Sequence, residues 1–203
     1  LIQPQAPSMR YLRLVAPTAA ILVMATAAEA HTGHGATNAF TAGLAHPLGG
    51  LDHLLAMVAV GLWAGIAGGR ALWLWPASFV GAMLIGGGLG MAGLPMPLVE
   101  QGIVGSVIVI GLAAALAFSP NLMVGMVIAA LAGLFHGHAH GTEVPADASG
   151  VAYSVGFAAA TALLHAGGIA ATVAATRFSL PFAARTAGGL TAVAGVVLAA
   201  RFL

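Results

Sequence analysis

Three long stretches of the chain contain no Asp, Glu, Lys or Arg: residues 71–99, 101–142 and 148–176. Each is longer than the roughly 20 helical residues that cross a hydrocarbon core about 30 Å thick. The mean hydropathy is +1.02, far above that of soluble proteins, and charged residues make up only 5% of the composition. The sequence therefore predicts an all-α integral membrane protein.

Six transmembrane helices are predicted within a single domain over residues 31–203. Their expected positions are residues 47–67, 71–93, 98–118, 120–141, 150–175 and 183–203. The chain also contains 29 glycines, and small residues let helix backbones approach closely in membrane bundles. Spacings of four occur at Gly61, Gly65 and Gly69, at Gly86 and Gly90, and at Gly133, Gly137 and Gly141. They predict close helix packing, although a general abundance of glycine would explain some of them.

Residues 1–30 are predicted to be an upstream remnant followed by a cleavable signal peptide. Arg10 and Arg13 supply a positive region, and residues 14–26 form a short apolar segment after it. Residues 28–30 then fit the small-x-small pattern of a cleavage site. The alternative is an uncleaved first transmembrane helix, but the apolar segment is short for a span.

The arginines predict the orientation of the bundle. Cleavage after residue 30 would leave the mature N-terminus in the periplasm of a protein of the bacterial inner (cytoplasmic) membrane. Alternating helices then place Arg70, Arg177 and Arg185 on the cytoplasmic side, and Glu100, Glu143 and Asp147 on the periplasmic side. This distribution follows the positive-inside rule, with Arg201 as the exception.

One group of ionisable residues, His46, Asp52 and His53, occurs in the segment H-P-L-G-G-L-D-H. Ionisable side chains inside a bilayer are costly, so their presence is a functional hypothesis by default. Imidazole and carboxylate are also ligands that suit divalent transition metals. The proline and glycines between His46 and Leu51 disfavour a regular helix, and broken backbone at membrane depth is tolerated where it lines a cavity.

A second group occurs in F-H-G-H-A-H-G-T-E. His136 and His140 are four residues apart and share a helix face, which Glu143 shares too if the helix continues. His138 points elsewhere. Two histidines at this spacing can hold one metal ion. The alternative for any single histidine is a hydrogen-bonded packing residue, but the combination of both groups predicts a metal site.

Three further histidines are weaker candidates for metal binding. His165 lies deep in the fifth predicted span, where it is either a packed neutral histidine or a deeper ligand or proton acceptor. His31 and His34 follow the predicted cleavage site, where they form either a weak chelating group or a solvated tail.

Methionine and tryptophan are assigned no chemistry. Thioethers suit soft ions such as Cu(I), but methionine commonly fills gaps in apolar bundles. The methionines concerned are Met83, Met91, Met96, Met123 and Met126. The tryptophans Trp63, Trp73 and Trp75 flank the first cytoplasmic turn and are interpreted as interface anchors.

The segment from His46 to Ala64 resembles the HupE/UreJ family, as do Phe135 to Glu143 and L-H-A-G-G around His165. Members of that family are small membrane proteins associated with hydrogenase and urease gene clusters, and they are regarded as secondary permeases for nickel, with cobalt as an alternative. The resemblance implies functional roles for His46, Asp52, His53, His136, His140 and Glu143. It leaves His138 at a variable position.

The leading hypothesis is a permease, not an enzyme, that moves Ni²⁺ or Co²⁺ from periplasm to cytoplasm. The chain lacks the G-x-x-x-x-G-K-[ST] motif, so it uses a gradient, works as a facilitated pathway or depends on a separate subunit. No resident cofactor is expected, and Zn²⁺ or Cu²⁺ remain alternative ions because nitrogen and oxygen donors bind them too. The expected partners are the ion and the lipid bilayer, without nucleic acid. A homo-oligomer is left open, and the resemblance implies a link to hydrogenase or urease maturation.

Two other classes of function compete with this hypothesis. An intramembrane metallohydrolase would use Asp52 or Glu143 as the base that activates a metal-bound water. A metal sensor or chaperone subunit would bind the ion without a path across the bilayer.

Overall fold

The computed structural model describes residues 39–144, 148–180 and 182–200, all of which belong to one compact unit, Gly35–Leu203. This part of the chain contains seven α-helices, one short 3-10 turn and no strand. The helices are α1 (Ala39–Ala45), α2 (Leu51–Ala67), α3 (Ala71–Met91), α4 (Val99–Ala115), α5 (Leu122–Thr142), α6 (Gly150–Arg177) and α7 (Ala183–Ala199). The predicted all-α membrane fold is confirmed, whereas the predicted signal peptide lies outside the described residues.

The six long helices α2 to α7 correspond to the six predicted spans. By length and composition α3, α5 and α6 can each cross a membrane, and α1 with α2 forms a fourth candidate span that is sharply bent. Helices α4 and α7 are apolar but have 17 residues each, which is the lower end of the range of about 17–25 for a spanning helix.

The bend in the first span lies at Gly49 and Gly50. The 3-10 turn His46–Leu48 contains Pro47, and the Gly49 N–H closes it by donating to the His46 carbonyl at 2.9 Å. Gly50 is extended and starts α2. The helical segments before and after this break make an angle of 83°. The sequence pattern of proline and glycine therefore predicted the interruption correctly, and the turn brings His46 over the start of α2.

Helices α3 and α5 pack with their backbones in contact along a glycine seam, which consists of Gly133, Gly137 and Gly141 of α5. A β-carbon on these glycines would collide with the carbonyl groups of Phe79, Met83 and Gly87 of α3, respectively. The spacing of four on α5 is therefore a packing device, because only glycine lets the two backbones approach so closely.

Helices α2 and α6 form a second close pair. A β-carbon on Gly61 would collide with the carbonyl of His165, and one on Gly168 with the carbonyl of Val58. Gly69, by contrast, lies in the turn after α2 with a positive φ of 53° and with no neighbour within 4 Å. Close packing therefore explains Gly61 but not Gly69, which shapes a turn.

Two of the three tryptophans do not anchor the bundle at a membrane interface. Trp63 and Trp75 are fully buried, and their rings lie 4.1 Å apart. Their indole N–H groups donate to the carbonyls of Phe118 and Leu122 at 2.7 and 3.1 Å. The interpretation as interface anchors is wrong for this pair, because the indoles satisfy carbonyls of the turn between α4 and α5; only Trp73 is exposed.

The glycine seam gives a direct test of the fold. Gly137→Ala should lower the free energy of unfolding by about 1–3 kcal/mol, the usual cost of an added methyl group in a packed core. Gly81→Ala is the matched control, because Gly81 is exposed on α3 and has no neighbour within 4 Å. The midpoints of thermal unfolding in detergent measure the difference, and equal midpoints for the two variants would contradict the seam.

Candidate metal site

The ionisable residues gather at one end of the bundle. Helix α5 ends there at Thr142, and α2 and α6 begin there. Because α2 and α6 run away from this end, Arg70 after α2 and Arg177 at the end of α6 lie at the opposite end. Arg185 also lies there, where its Nε donates to the carbonyl of Ala115 at the end of α4. Among the described residues, the carboxylates of Asp52 and Glu143 are therefore separated from the arginines along the bundle axis.

His46, His140 and Glu143 form the outermost part of the site. Their ligand atoms all lie within 4.8 Å of one another. The Glu143 Oε2 accepts hydrogen bonds from His46 Nε2 at 2.9 Å and from His140 Nδ1 at 3.3 Å. The Glu143 side chain is 53% exposed, whereas that of His140 is only 4% exposed. The group therefore connects the protein surface with the interior.

Glu143 follows the last turn of α5 and supplies the negative charge of this group. The hydrogen bonds from His140 and His46 lower the pKa of the Glu143 carboxyl well below its usual range, although partial burial opposes them. The carboxylate is therefore ionised at neutral pH, as a ligand for a dication must be.

The hydrogen bonds define the tautomers of the buried histidines. His136 Nδ1 donates to the carbonyl of Ala132 at 2.9 Å, so its Nε2 carries the lone pair. His140 Nδ1 faces Glu143 in the same way. His136 Nε2, His140 Nε2 and His53 Nδ1 are buried, and none has a hydrogen-bond partner in the described part of the chain. An unsatisfied buried polar atom costs about 1–3 kcal/mol, so three of them together indicate a ligand site.

The imidazole rings form a continuous series. The centroid of His140 lies 4.7 Å from that of His46 and 4.1 Å from that of His53, and His53 lies 5.1 Å from His136. We call His46, His53, His136, His140 and Glu143 the histidine cluster. The structure thus brings together residues from both sequence motifs, which are separated by about 80 positions in the chain.

Asp52 lies beside the cluster in the first turn of α2. Its Oδ1 accepts the backbone N–H of His53 at 2.9 Å and lies 3.8 Å from His53 Nε2. It is not part of the close group of His46, His140 and Glu143. Asp52 therefore acts on the cluster through His53, and its negative charge near the start of α2 is also favoured by the helix dipole.

The other histidines have different positions. His138 points away from the cluster, as its helical position predicted, and its Nε2 donates to the carbonyl of Leu94 at 2.7 Å. His165 is 1% exposed and lies deeper in the bundle, with the Phe79 ring in contact with both His165 and His136. His31 and His34 lie outside the described residues.

Two aromatic residues of the site were missed in the sequence. The Phe157 ring lies 4.2 Å from that of His140, and the Tyr153 ring lies 5.7 Å from that of His46. Both line a cavity of about 20 Å³ beside His140, which is room for about one water molecule. Their spacing of four at the start of α6 was the available signal, but aromatic residues are too common in apolar helices for it to stand out.

The profile of a protein family described as HupE / UreJ protein matches residues 19–198 of the chain. Protein HupE of Rhizobium leguminosarum bv. viciae is 42% identical over 192 residues, which cover 94% of this chain and 98% of that protein. The chain belongs to the HupE/UreJ family. No solved structure gives a significant match.

Membership confirms the resemblance found in the sequence motifs. HupE/UreJ proteins are transport-related membrane proteins associated with nickel or cobalt uptake or with hydrogenase and urease maturation. The matched region contains every residue of the histidine cluster.

The two neighbouring histidines His138 and His140 distinguish ligands from packing residues. His140→Asn should weaken Ni²⁺ binding by about 10- to 100-fold, the usual range for damage to a metal site. His138→Asn is the matched control, because this histidine is also buried on α5 but bonds to a backbone carbonyl. Titration calorimetry of the purified protein in detergent measures both affinities. A similar loss in both variants would show that the effect is structural.

Proposed function

We propose that this protein is a permease that carries a divalent transition metal ion, Ni²⁺ or Co²⁺, across the bacterial inner membrane into the cytoplasm. The observation that supports this most strongly is the arrangement of three buried imidazole nitrogens without partners next to an ionised carboxylate. Neutral imidazole and carboxylate together form a ligand set for such ions.

The donor atoms of the site determine only in part which metal ion is transported. Affinity for nitrogen and oxygen donors rises from Co²⁺ through Ni²⁺ to Cu²⁺, so availability and geometry select the ion in the cell. Nickel and cobalt are proposed because they are the ions associated with the HupE/UreJ family. Zn²⁺ and Cu²⁺ serve as the competing ions in the test.

Transport fits the geometry better than sensing. The cavity of about 20 Å³ beside His140 admits an ion or a water molecule. A sensor needs one site, whereas here the rings continue from the partly exposed His46 inward to the fully buried His136. This series leads into the bundle, as a transport path requires.

The direction of transport is proposed from the arginines. Arg70, Arg177 and Arg185 lie at the end opposite to the histidine cluster, and the positive-inside rule assigns that end to the cytoplasm. The cluster then faces the periplasm, where it collects the ion. Since the chain has no nucleotide-binding motif of the P-loop type, the ion gradient, the membrane potential or a separate subunit drives the movement.

The decisive experiment is uptake into liposomes that contain only this protein, with Ni²⁺, Co²⁺, Zn²⁺ and Cu²⁺ supplied outside. Glu143→Gln should reduce Ni²⁺ uptake by about 10- to 100-fold, because it removes the charge that faces the dication while keeping the size of the side chain. Glu100→Gln is the matched control, since Glu100 is an exposed carboxylate at the start of α4. If the Glu143→Gln variant takes up Ni²⁺ as fast as the wild type does, the proposed role of the cluster is refuted.

Asp52 should matter less directly than Glu143. Asp52→Asn removes the charge 3.8 Å from His53 Nε2, and loss of such an ionic partner of a ligand should lower uptake about tenfold. The same liposome assay measures it, alongside a check by circular dichroism that the protein remains helical. Normal uptake by this variant would restrict Asp52 to a structural role at the start of α2.

A further inference from the structure

His165 is a buried ionisable residue that the histidine cluster does not use. Both of its ring nitrogens are buried, and neither has a hydrogen-bond partner in the described residues. One of these nitrogens must carry a proton and the other a lone pair. A packing histidine would satisfy at least one of them with a neighbouring carbonyl, as His138 does.

Further donor atoms lie on the same side of the bundle interior. Thr161 is one helical turn from His165 on α6, so the two side chains share a face. The Thr161 hydroxyl lies 3.5 Å from the sulfur atoms of both Met57 of α2 and Met83 of α3. All four side chains are buried. Three helices thus contribute an imidazole, a hydroxyl and two thioethers, and none of these four donor groups is a carboxylate.

From the histidine cluster this group extends toward the arginine end: Met83 also lines the small cavity beside His140, whereas His165 lies deeper. Phe157, which contacts His140, precedes His165 by eight residues on α6, which corresponds to a depth of about 12 Å along the helix. The Phe79 ring lies between the two regions, 5.5 Å from the ring of His136 and 5.0 Å from that of His165. Phe79 therefore separates the innermost ring of the cluster from His165.

We propose that His165, together with Thr161 and the thioethers of Met57 and Met83 that lie between it and the histidine cluster, forms a second, uncharged station for the transition metal ion. This proposal rests on the proposed transport function. Imidazole and thioether donors bind soft and borderline ions such as Ni²⁺ but not Mg²⁺ or Ca²⁺. Because no carboxylate is present, the station binds a dication more weakly than the cluster does, and conduction needs such a weak site for release.

Equilibrium binding of Ni²⁺ to the full chain in detergent tests the station without depending on transport. The wild type should bind two ions, one tightly and one more weakly. Glu143→Gln should weaken the tight site, and His165→Leu, which keeps the side-chain volume, should remove the weak one. A single class of sites in the wild type, or unchanged binding by His165→Leu, would overturn the proposal. Loss of the tight site in His165→Leu would place His165 in the cluster and overturn it too.

Liposome uptake provides the second measurement. His165→Leu should reduce Ni²⁺ uptake by about tenfold, while tight binding stays unchanged. The double variant Met57→Leu, Met83→Leu removes only the sulfurs and preserves core volume, so it tests the station even if His165→Leu fails to fold. It should lower uptake and weak binding, whereas Met123→Leu, at an exposed methionine of α5, should change neither.

The results separate the two proposals. If wild-type liposomes take up neither Ni²⁺ nor Co²⁺, the transport function fails, and the binding measurement still decides whether the second station exists. If transport occurs and both the His165 and the methionine variants transport normally, the station fails and the function stands.

Discussion

Close contact between the backbones of α3 and α5 determines where the two site histidines of α5 point. Gly133, Gly137 and Gly141 press one face of α5 against the carbonyls of α3. Each step along a helix rotates the side chain by about 100°. His136 and His140, each one residue before a glycine of the seam, are therefore turned about 100° away from α3. The seam thus fixes the rotation of α5 and directs both imidazoles toward α2 and the start of α6.

The sequence predicted the helices more completely than it predicted the site. Charge-free stretches of sufficient length identified the six long helices, because the thickness of a bilayer fixes the length of a span. The spacing of His136, His140 and Glu143 gave their common face, since the helix continues through Thr142. The proline and glycines after His46 predicted a break but not its angle of 83°, which depends on how α1 packs on α6.

Other features could not be predicted from the pattern of residues within a single helix. Trp63 and Trp75 occur near a turn, as interface anchors do, but in the structure they are buried, and the carbonyls of Phe118 and Leu122 accept their indole N–H groups. The methionines were assigned to packing, and only the three-dimensional structure brings two sulfur atoms to the hydroxyl of Thr161. Such contacts join residues about 50–100 positions apart, and no periodicity within one helix predicts them.

The two ends of the bundle are built differently. The cluster end is partly open, since the side chains of His46 and Glu143 are 33% and 53% exposed. At the arginine end, Trp63 and Trp75 are fully buried and their indoles donate to carbonyls at the turn between α4 and α5.

In the proposed path, the described carboxylates Asp52 and Glu143 lie at the entrance, and electrostatics gives a reason for this placement. Two unit charges 4 Å apart attract by about 4 kcal/mol at an effective dielectric constant of 20, and a dication doubles that value. A carboxylate such as Glu143 would therefore attract a dilute ion in the proposed function, and its exposure lets water weaken the attraction. The same carboxylate near His165, buried from water, would hold the ion too strongly to release it. A deep site made only of neutral donors avoids this trap, which is the physical reason to expect imidazole, hydroxyl and thioether groups there.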